Sequence, residues 1–429
     1  MKLQARTLVA AMAFLVVGAF SPVSRRLAAA FSVIRPDGIG GRPHRTIPPA
    51  SHRRPTSHLS RRGGLGRPFG SSRVFSAPSA DADAANGEGG KKRVVFLGTP
   101  EVAATSLRTI AEDSKREGSA YELVGVVTQP PKRRKRRGKE IPSPVGLAAE
   151  ELGIPVLCPE RARDPEFLDA LENDVRPDLC ITAAYGQYLP KRFLAAPTYG
   201  TVNIHPSLLP RWRGASPVQR SLEAGDNPVG VSVLFTVSKM DAGPIISQRS
   251  CEIDDDEQAT TLLPSLFDVG TDLLLESIPD VLGGKITMDT AAAQDEDGAV
   301  NADMIDSSEG ELRVWRQSAA TCHDKCRGFS MWPGTYMFFR IGDDDDLEPL
   351  RVKVLRTRVV EETAAPTDVA ALGPKKKDGL RVVCGDGSVL ELLQVQPATK
   401  KAMDAKSFVN GMRGAKIRWV QMPEGDEES

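Results

Sequence analysis

Lys91-Lys-Arg-Val-Val-Phe-Leu-Gly98-Thr-Pro100 and Tyr121-Glu-Leu-Val-Gly-Val-Val-Thr128, separated by the amphipathic stretch 102–117, decide the fold. Both apolar runs are continuous rather than alternating, as expected of strands covered on both faces. One helix length lies between them, so the unit reads strand, helix, strand, with a parallel sheet and right-handed crossovers. The first turn, Gly98-Thr-Pro-Glu101, lacks G-x-G-x-x-G, and no acidic residue follows at the ribose-binding distance, which argues against a dinucleotide cofactor.

The same grammar continues downstream. Strands are expected at 154–157, 177–185 and 201–205, with a helix at 164–172. The third of these strands delivers Asn203 and His205 two residues apart, so both point to the same side and can act on one substrate atom. Asn is a neutral donor for a developing oxyanion, and His is the side chain that exchanges a proton near neutral pH. Pro206 and Ser207-Leu208-Leu209-Pro210 end the strand, and the turn is expected to offer its backbone groups to a ligand. Strands expected at 229–236 and 244–249 flank Asp241, placing that carboxylate on a loop from which it can fix or charge the imidazole. An isolated N-x-H also reads as a strand-end turn with a hydrogen-bonded His. A long amphipathic helix over 260–282 closes a first domain, 91–286, and the polar, Ala- and Asp-rich stretch 287–310 reads as a linker.

From residue 311 to about 415 the pattern becomes short alternating strands with turns such as Gly385-Asp-Gly387, a small OB-like β-barrel. Arg351 and Lys353 share one strand face, and Arg356 and Arg358 share the other unless a bulge brings all four together. The segments 343–346 and 366–378 look like loop insertions, and 416–429 reads as an acidic tail. Cys322-His323-x-x-Cys326 has no second half elsewhere, so no metal is expected. The six cysteines form no disulfide framework, which favours a reducing compartment.

The zero net charge conceals a division. Residues 1–90 hold 13 Lys and Arg against 4 Asp and Glu, leaving 43 against 52 for residues 91–429. A nucleic-acid partner therefore needs a local basic patch. Residues 1–20 read as a secretory signal, with Lys2 and Arg6 ahead of an apolar core at 8–20. Residues 21–90, rich in Arg, Ser, Pro and Gly, have transit-peptide composition. The two in series resemble the bipartite presequences of plastid proteins, with a mitochondrial presequence as the runner-up. No later apolar run is long enough to span a bilayer, so the mature form is expected off the membrane, and as a monomer.

A local basic patch exists. Between the second strand and a helix expected at 144–152 lies Lys132, Arg133, Arg134, Lys135, Arg136, Arg137, Gly138 and Lys139, seven cations in eight residues. Composition alone allows a nuclear localisation signal or a solvated loop. Its position, leaving the carboxyl end of a parallel strand where open α/β sheets bind ligands, favours phosphate contact.

Asn203-Ile-His205-Pro-Ser-Leu-Leu-Pro-Arg-Trp-Arg-Gly-Ala-Ser-Pro-Val-Gln-Arg220, followed by Met240-Asp241-Ala-Gly-Pro-Ile, resembles the signature of the folate-dependent formyltransferases, and within them the branch that acts on tRNA. Leu97-Gly-Thr-Pro-Glu101 is similar to the family's opening, although Val102 stands where Phe is usual, and Arg137-Gly-Lys139 is similar to part of a family insertion. The resemblance covers residues 91–412 and implies a Rossmann-like α/β domain followed by the barrel. It implies 10-formyltetrahydrofolate as formyl donor and the methionine amine of initiator tRNA as acceptor. It further implies catalysis by Asn203, His205 and Asp241, folate contacts from Ser207, Leu208, Leu209, Pro210, Tyr185 and Gly186, and a C-terminal domain that supports the tRNA. A formyl-folate hydrolase and an inactive RNA-binding relative are the alternatives.

Overall fold

The computed structural model describes residues 90–133, 140–375 and 377–422, with a two-residue strand at Ser32–Val33. The leader expected over 1–90 otherwise lies outside the described residues as far as residue 89, as do Arg134, Lys135, Arg136, Arg137 and Lys139 and the second half of the tail, 423–429.

The first domain is built on β1 (Lys92–Gly98), α1 (Glu101–Lys115) and β2 (Tyr121–Val127). A two-residue hairpin, β3 (Lys132–Arg133) with β4 (Glu140–Ile141), follows, then α2 (Pro144–Leu152), β5 (Val156–Leu157) and α3 (Pro165–Ala170). The chain continues through β6 (Leu179–Ala183), α4 (Lys191–Ala195), β7 (Thr201–His205), β8 (Arg211–Gly214), α5 (Pro217–Glu223), β9 (Val229–Phe235), β10 (Ile245–Cys251) and the 24-residue α6 (Ala259–Leu282).

The main sheet runs β10-β9-β7-β6-β1-β2-β5, with Ser32–Val33 on the outer edge of β10. From β7 to β5 the pairings are parallel, and β9 and β10 are antiparallel. Val94, Val95, Phe96 and Leu97 are all buried because helices cover both faces. Val94 and Phe96 join α1 and α6, whereas Val95 and Leu97 join Phe167 and Phe193 of α3 and α4. Fully burying each such side chain contributes about 1.5–3 kcal/mol. Gly98 is required at the β1–α1 turn, where a Cβ would fall 2.8 Å from Ala103 Cβ and 2.9 Å from Ala183 O. Strand order reverses between β1 and β6, and the crevice at their carboxyl ends is where open α/β sheets take ligands.

The expected linker is an ordered strap. Ala292 exchanges two backbone hydrogen bonds with Ile245, at 2.7 and 3.0 Å, and β11 (Val300–Ala302) pairs parallel with β8. Its polar composition hid this, because Gln294 bonds the carbonyls of Asp241 and Gly243 and Glu296 bonds Arg213 and Lys239. The helical turn Ser307–Gly310 follows, and Glu309 holds Arg220 of α5 at 2.8 and 3.0 Å.

The second domain comprises α7 (Ala319–Gly328), β12 (Thr335–Ile341), β13 (Leu350–Thr363), β14 (Val369–Leu372), β15 (Leu380–Val383), β16 (Ser388–Pro397), β17 (Met403–Asp404), α8 (Ala405–Gly411) and β18 (Ile417–Trp419). Six strands close antiparallel in the order β13-β12-β18-β14-β15-β16, with β13 returning to β16. Two expectations are corrected. The stretch 366–378 contains barrel strand β14, and the expected tail begins with barrel strand β18, whose Ile417 is buried and bonded between β12 and β14. Both strands are too short to show a period of their own.

Two register shifts around Arg356 in β13 bring Arg351, Lys353, Arg356 and Arg358 onto the outer, exposed face together. Arg351 lies 3.8 Å over the Tyr336 ring, Arg356 pairs with Asp256 at 2.8 Å, and Arg358 pairs with the fully buried Glu391. Cys322, His323 and Cys326 point to different partners. His323 bonds Thr357 Oγ1 and Asp255 O, both at 2.8 Å, and Cys326 faces Val354 O. All six cysteines are free.

Candidate active site

Register places the first two catalytic candidates. In the parallel β6–β7 pairing Asn203 lies opposite Thr182, and in the antiparallel β9–β7 pairing His205 lies opposite Ser232. Val202 and Ile204 point into the core under α1 and α6, so Asn203 and His205 share the other face of β7. The Thr182 hydroxyl, 2.8 Å away, donates to Asn203 Oδ1 and turns the amide nitrogen away from β6.

His205 is 4% exposed. Its Nε2 lies 2.9 Å from the Trp212 carbonyl. A carbonyl only accepts, so Nε2 carries the proton, and Nδ1 is the nitrogen left for chemistry. Nδ1 faces Asp241 Oδ2 at 3.7 Å, beyond a direct hydrogen bond and within reach of one bridging group. Imidazole and carboxylate from two separate segments therefore meet at the carboxyl end of β7, and the Asn203 amide stands on the same face of that strand.

Asp241 stands on the tight β9–β10 loop with φ +47°, in the left-handed region. Gly243 allows the loop to close, because a Cβ there would sit 1.7 Å from Phe235 O. The Gly214 amide donates to Asp241 Oδ2 at 3.0 Å, and Gln294 Nε2 donates to the carbonyls of Asp241 and Gly243 at 2.8 and 2.7 Å. Sequence reading missed Gln294, Gly214 and Thr182. Thr182 alone had a local signal, its place on the strand beside N-x-H.

The turn 207–210 differs from expectation. Its backbone is held by the protein: Ser207 O by the Ser232 hydroxyl at 2.6 Å, Leu209 N by Ser232 Oγ at 3.1 Å, and Leu209 O by Gln248 Nε2 at 2.8 Å. Strands β9 and β10 supply short polar side chains at those positions, which the isolated turn does not reveal. The half-buried sides of Leu208 and Pro210 are what the turn offers outward. Beside it opens a groove of about 320 Å³ lined by Pro206, Leu208, Trp212, Asp226 and Gly230 among others. A larger cleft of about 650 Å³ lies at the domain junction around His323 and Arg358, away from the catalytic candidates.

Tyr185 is also corrected in part. Its ring is packed in the core with Phe193 and Cys180, and burial pushes the phenol well above its ordinary range. Its carbonyl remains at the sheet edge, accepting from Thr99 Oγ1 at 2.8 Å and Gln129 Nε2 at 3.2 Å. Gly186 follows, exposed, with φ +80°. Lys132 and Arg133 are exposed at the root of the cationic segment. Lys132 Nζ bonds Gln129 Oε1 at 2.7 Å, tying that root to the Tyr185–Gly186 turn. Among the described residues no cluster of His, Cys, Asp and Glu is arranged to hold a metal, and no helix is long and apolar enough to cross a membrane.

The family model described as "Formyl transferase" matches residues 92–278, and "Formyl transferase, C-terminal domain" matches residues 304–413. The chain is 36% identical over 319 residues to the methionyl-tRNA formyltransferase of Bacillus subtilis (strain 168), covering 74% of this chain and 94% of that one. It is 35% identical over 325 residues to that of Lysinibacillus sphaericus (strain C3-41), covering 76% and 97%. Among solved structures the fold is similar to WlaRD, a sugar 3N-formyl transferase, with TM-score 0.51 at 14% identity over 73% of this chain and 100% of that one. Matched across both domains and nearly the full length of such relatives, the chain belongs to the methionyl-tRNA formyltransferases.

Proposed function

We propose that this chain transfers the formyl group of 10-formyltetrahydrofolate to the methionine amine of initiator methionyl-tRNA, for translation initiation in an organelle. The observation that carries the reading is the meeting of Asn203, His205 and Asp241 at the carboxyl edge of the sheet, in a chain collinear with the tRNA enzymes. The donor supplies an already activated formyl carbon, so the protein's task is to place a neutral amine, stabilise one oxygen and move one proton.

Asn203 donates its amide to the oxygen that becomes negative as the amine attacks. Its Oδ1 is taken by Thr182, which leaves the donor end for the substrate. His205, with Nε2–H anchored on Trp212, presents Nδ1 toward Asp241; this pair receives the proton leaving the amine as the new carbon–nitrogen bond forms, and the proton goes on to the folate nitrogen as its bond to the formyl carbon breaks. Leu208, Pro210, Gly186 and the Tyr185 backbone form the candidate folate wall. The cations at 132–139, leaving the carboxyl end of β2, supply the charge for the acceptor-stem phosphates, since the body of the protein is net negative. The leader composition supports a plastid destination.

The deciding assay gives protein lacking the leader a formyl-folate donor and charged initiator tRNA. Formyl-methionyl-tRNA is the expected product. Formate release without tRNA, or tRNA binding without turnover, overturns the reading. A fluorescent fusion of residues 1–90 tests the destination, and accumulation outside plastids sinks it.

A further inference from the structure

We infer that Gln294, aimed by Arg213, is a positioning residue that sets the Asp241 carboxylate against His205. This rests on the formyl-transfer reading of the site. Gln294 belongs to the strap, about fifty residues beyond Asp241 in a stretch whose composition reads as linker, yet every polar position of its side chain is used, on the Asp241 loop or on β8 beside it. Its two N–H groups go to Asp241 O at 2.8 Å and Gly243 O at 2.7 Å, and its oxygen accepts from Arg213 Nε at 2.9 Å. Arg213 is 5% exposed and is held from its other side by Glu296, with Nη1 to the carboxylate oxygens at 3.1 and 3.2 Å.

The next residue after Arg213 closes the arrangement. The Gly214 amide donates to Asp241 Oδ2 at 3.0 Å, so one short strand, β8, touches Asp241 twice: at the carboxylate directly and at the backbone through Gln294. Strand β11 of the same strap pairs with β8 in register Val300 to Arg211 and Asn301 to Arg213, which fixes the strand from which both contacts are made. Asp241 needs such support because its backbone sits in the left-handed region, unfavourable for a residue with a Cβ. Released from Gln294, the loop is free to move the carboxylate from its 3.7 Å approach to Nδ1, and a misplacement of that order is enough to lose turnover.

Two substitutions separate positioning from simple bracing. Gln294→Ala removes all three bonds. Gln294→Glu keeps the volume and strengthens the contact with Arg213, but sets carboxylate oxygens against the carbonyls of Asp241 and Gly243. Positioning requires both variants to lose kcat about ten- to a hundredfold, with the KM for tRNA little changed. The amide of Gly214 should exchange hydrogen at least several-fold faster in both. Near-wild-type kcat in Gln294→Glu, or unchanged exchange at Gly214 in both variants, overturns the inference. If the wild-type protein transfers no formyl group, the functional reading fails on its own, and Gly214 exchange still decides what Gln294 does.

Discussion

Under the proposed mechanism Asn203 and Asp241 carry different parts of the same step, and their substitutions should be told apart from loss of binding. Asn203→Ala removes an oxyanion donor and should lower kcat about 10²- to 10³-fold. Asp241→Ala removes half of the proton-accepting pair and should lower it about 10²- to 10⁴-fold. In both, tRNA affinity by filter binding should stay near wild type, and a parallel fall in affinity would show that these residues bind rather than catalyse. Gly243 offers a steric test, since its missing Cβ would lie 1.7 Å from the Phe235 carbonyl. Gly243→Ala should cost about 1–3 kcal/mol of stability in urea unfolding and most of the turnover. A variant of undiminished stability would show that the loop closes some other way.

At the scale of elements, the cationic segment reads from the chain as a phosphate contact, and the strap reads as a linker. The hairpin root of the first is tied through Gln129 to the turn at Tyr185, so Lys132 and Arg133 stand at the ligand edge of the sheet. Neutralising Lys132, Arg133, Arg134, Lys135, Arg136 and Arg137 should weaken tRNA binding uniformly. It should also flatten the slope of log K against log salt by about 0.7–0.9 for each phosphate the segment no longer neutralises. Unchanged tRNA kinetics at physiological salt would remove the segment from the substrate path. The strap shows why polar composition is a poor guide to disorder: Gln294, Glu296 and Glu309 are saturated by Arg213, Lys239, Arg220 and the carbonyls of the Asp241 loop.

Across the whole molecule, His323 pegs the two domains together. Its Nε2 meets Asp255 O of the first domain, and its Nδ1 meets Thr357 of the barrel. Arg356 to Asp256 and Gln258 to Leu355 O flank it at 2.8 and 2.9 Å. Burial holds the imidazole below its ordinary value of 6.5, with the neighbouring Arg327 acting in the same direction and the Asp255 carbonyl against it. The unfolded chain therefore binds this proton more readily than the folded one. The stability contributed by neutral His323 is complete above about pH 6.5 and is lost as pH falls below it. Thermal unfolding should show an acid limb in that window that His323→Gln flattens, and an identical limb in the variant would assign it to other groups.

Much of this protein was determined by local order alone. The apolar runs at 94–97 and 123–127, the single-helix spacing between them and the N-x-H with a later Asp are local patterns. Local patterns specify a parallel sheet and the residues at its carboxyl edge because side-chain direction follows backbone period. Tertiary structure decided the rest, by bringing together residues far apart in the chain. It chose which imidazole nitrogen is free, by placing the Trp212 carbonyl on the other. It closed the backbone of the turn 207–210 with Ser232 and Gln248, moved the Tyr185 ring into the core, and turned the linker into the support of Asp241. A hydrogen bond spanning about fifty residues leaves no period and no composition in the chain that makes it, so only the folded arrangement reveals it.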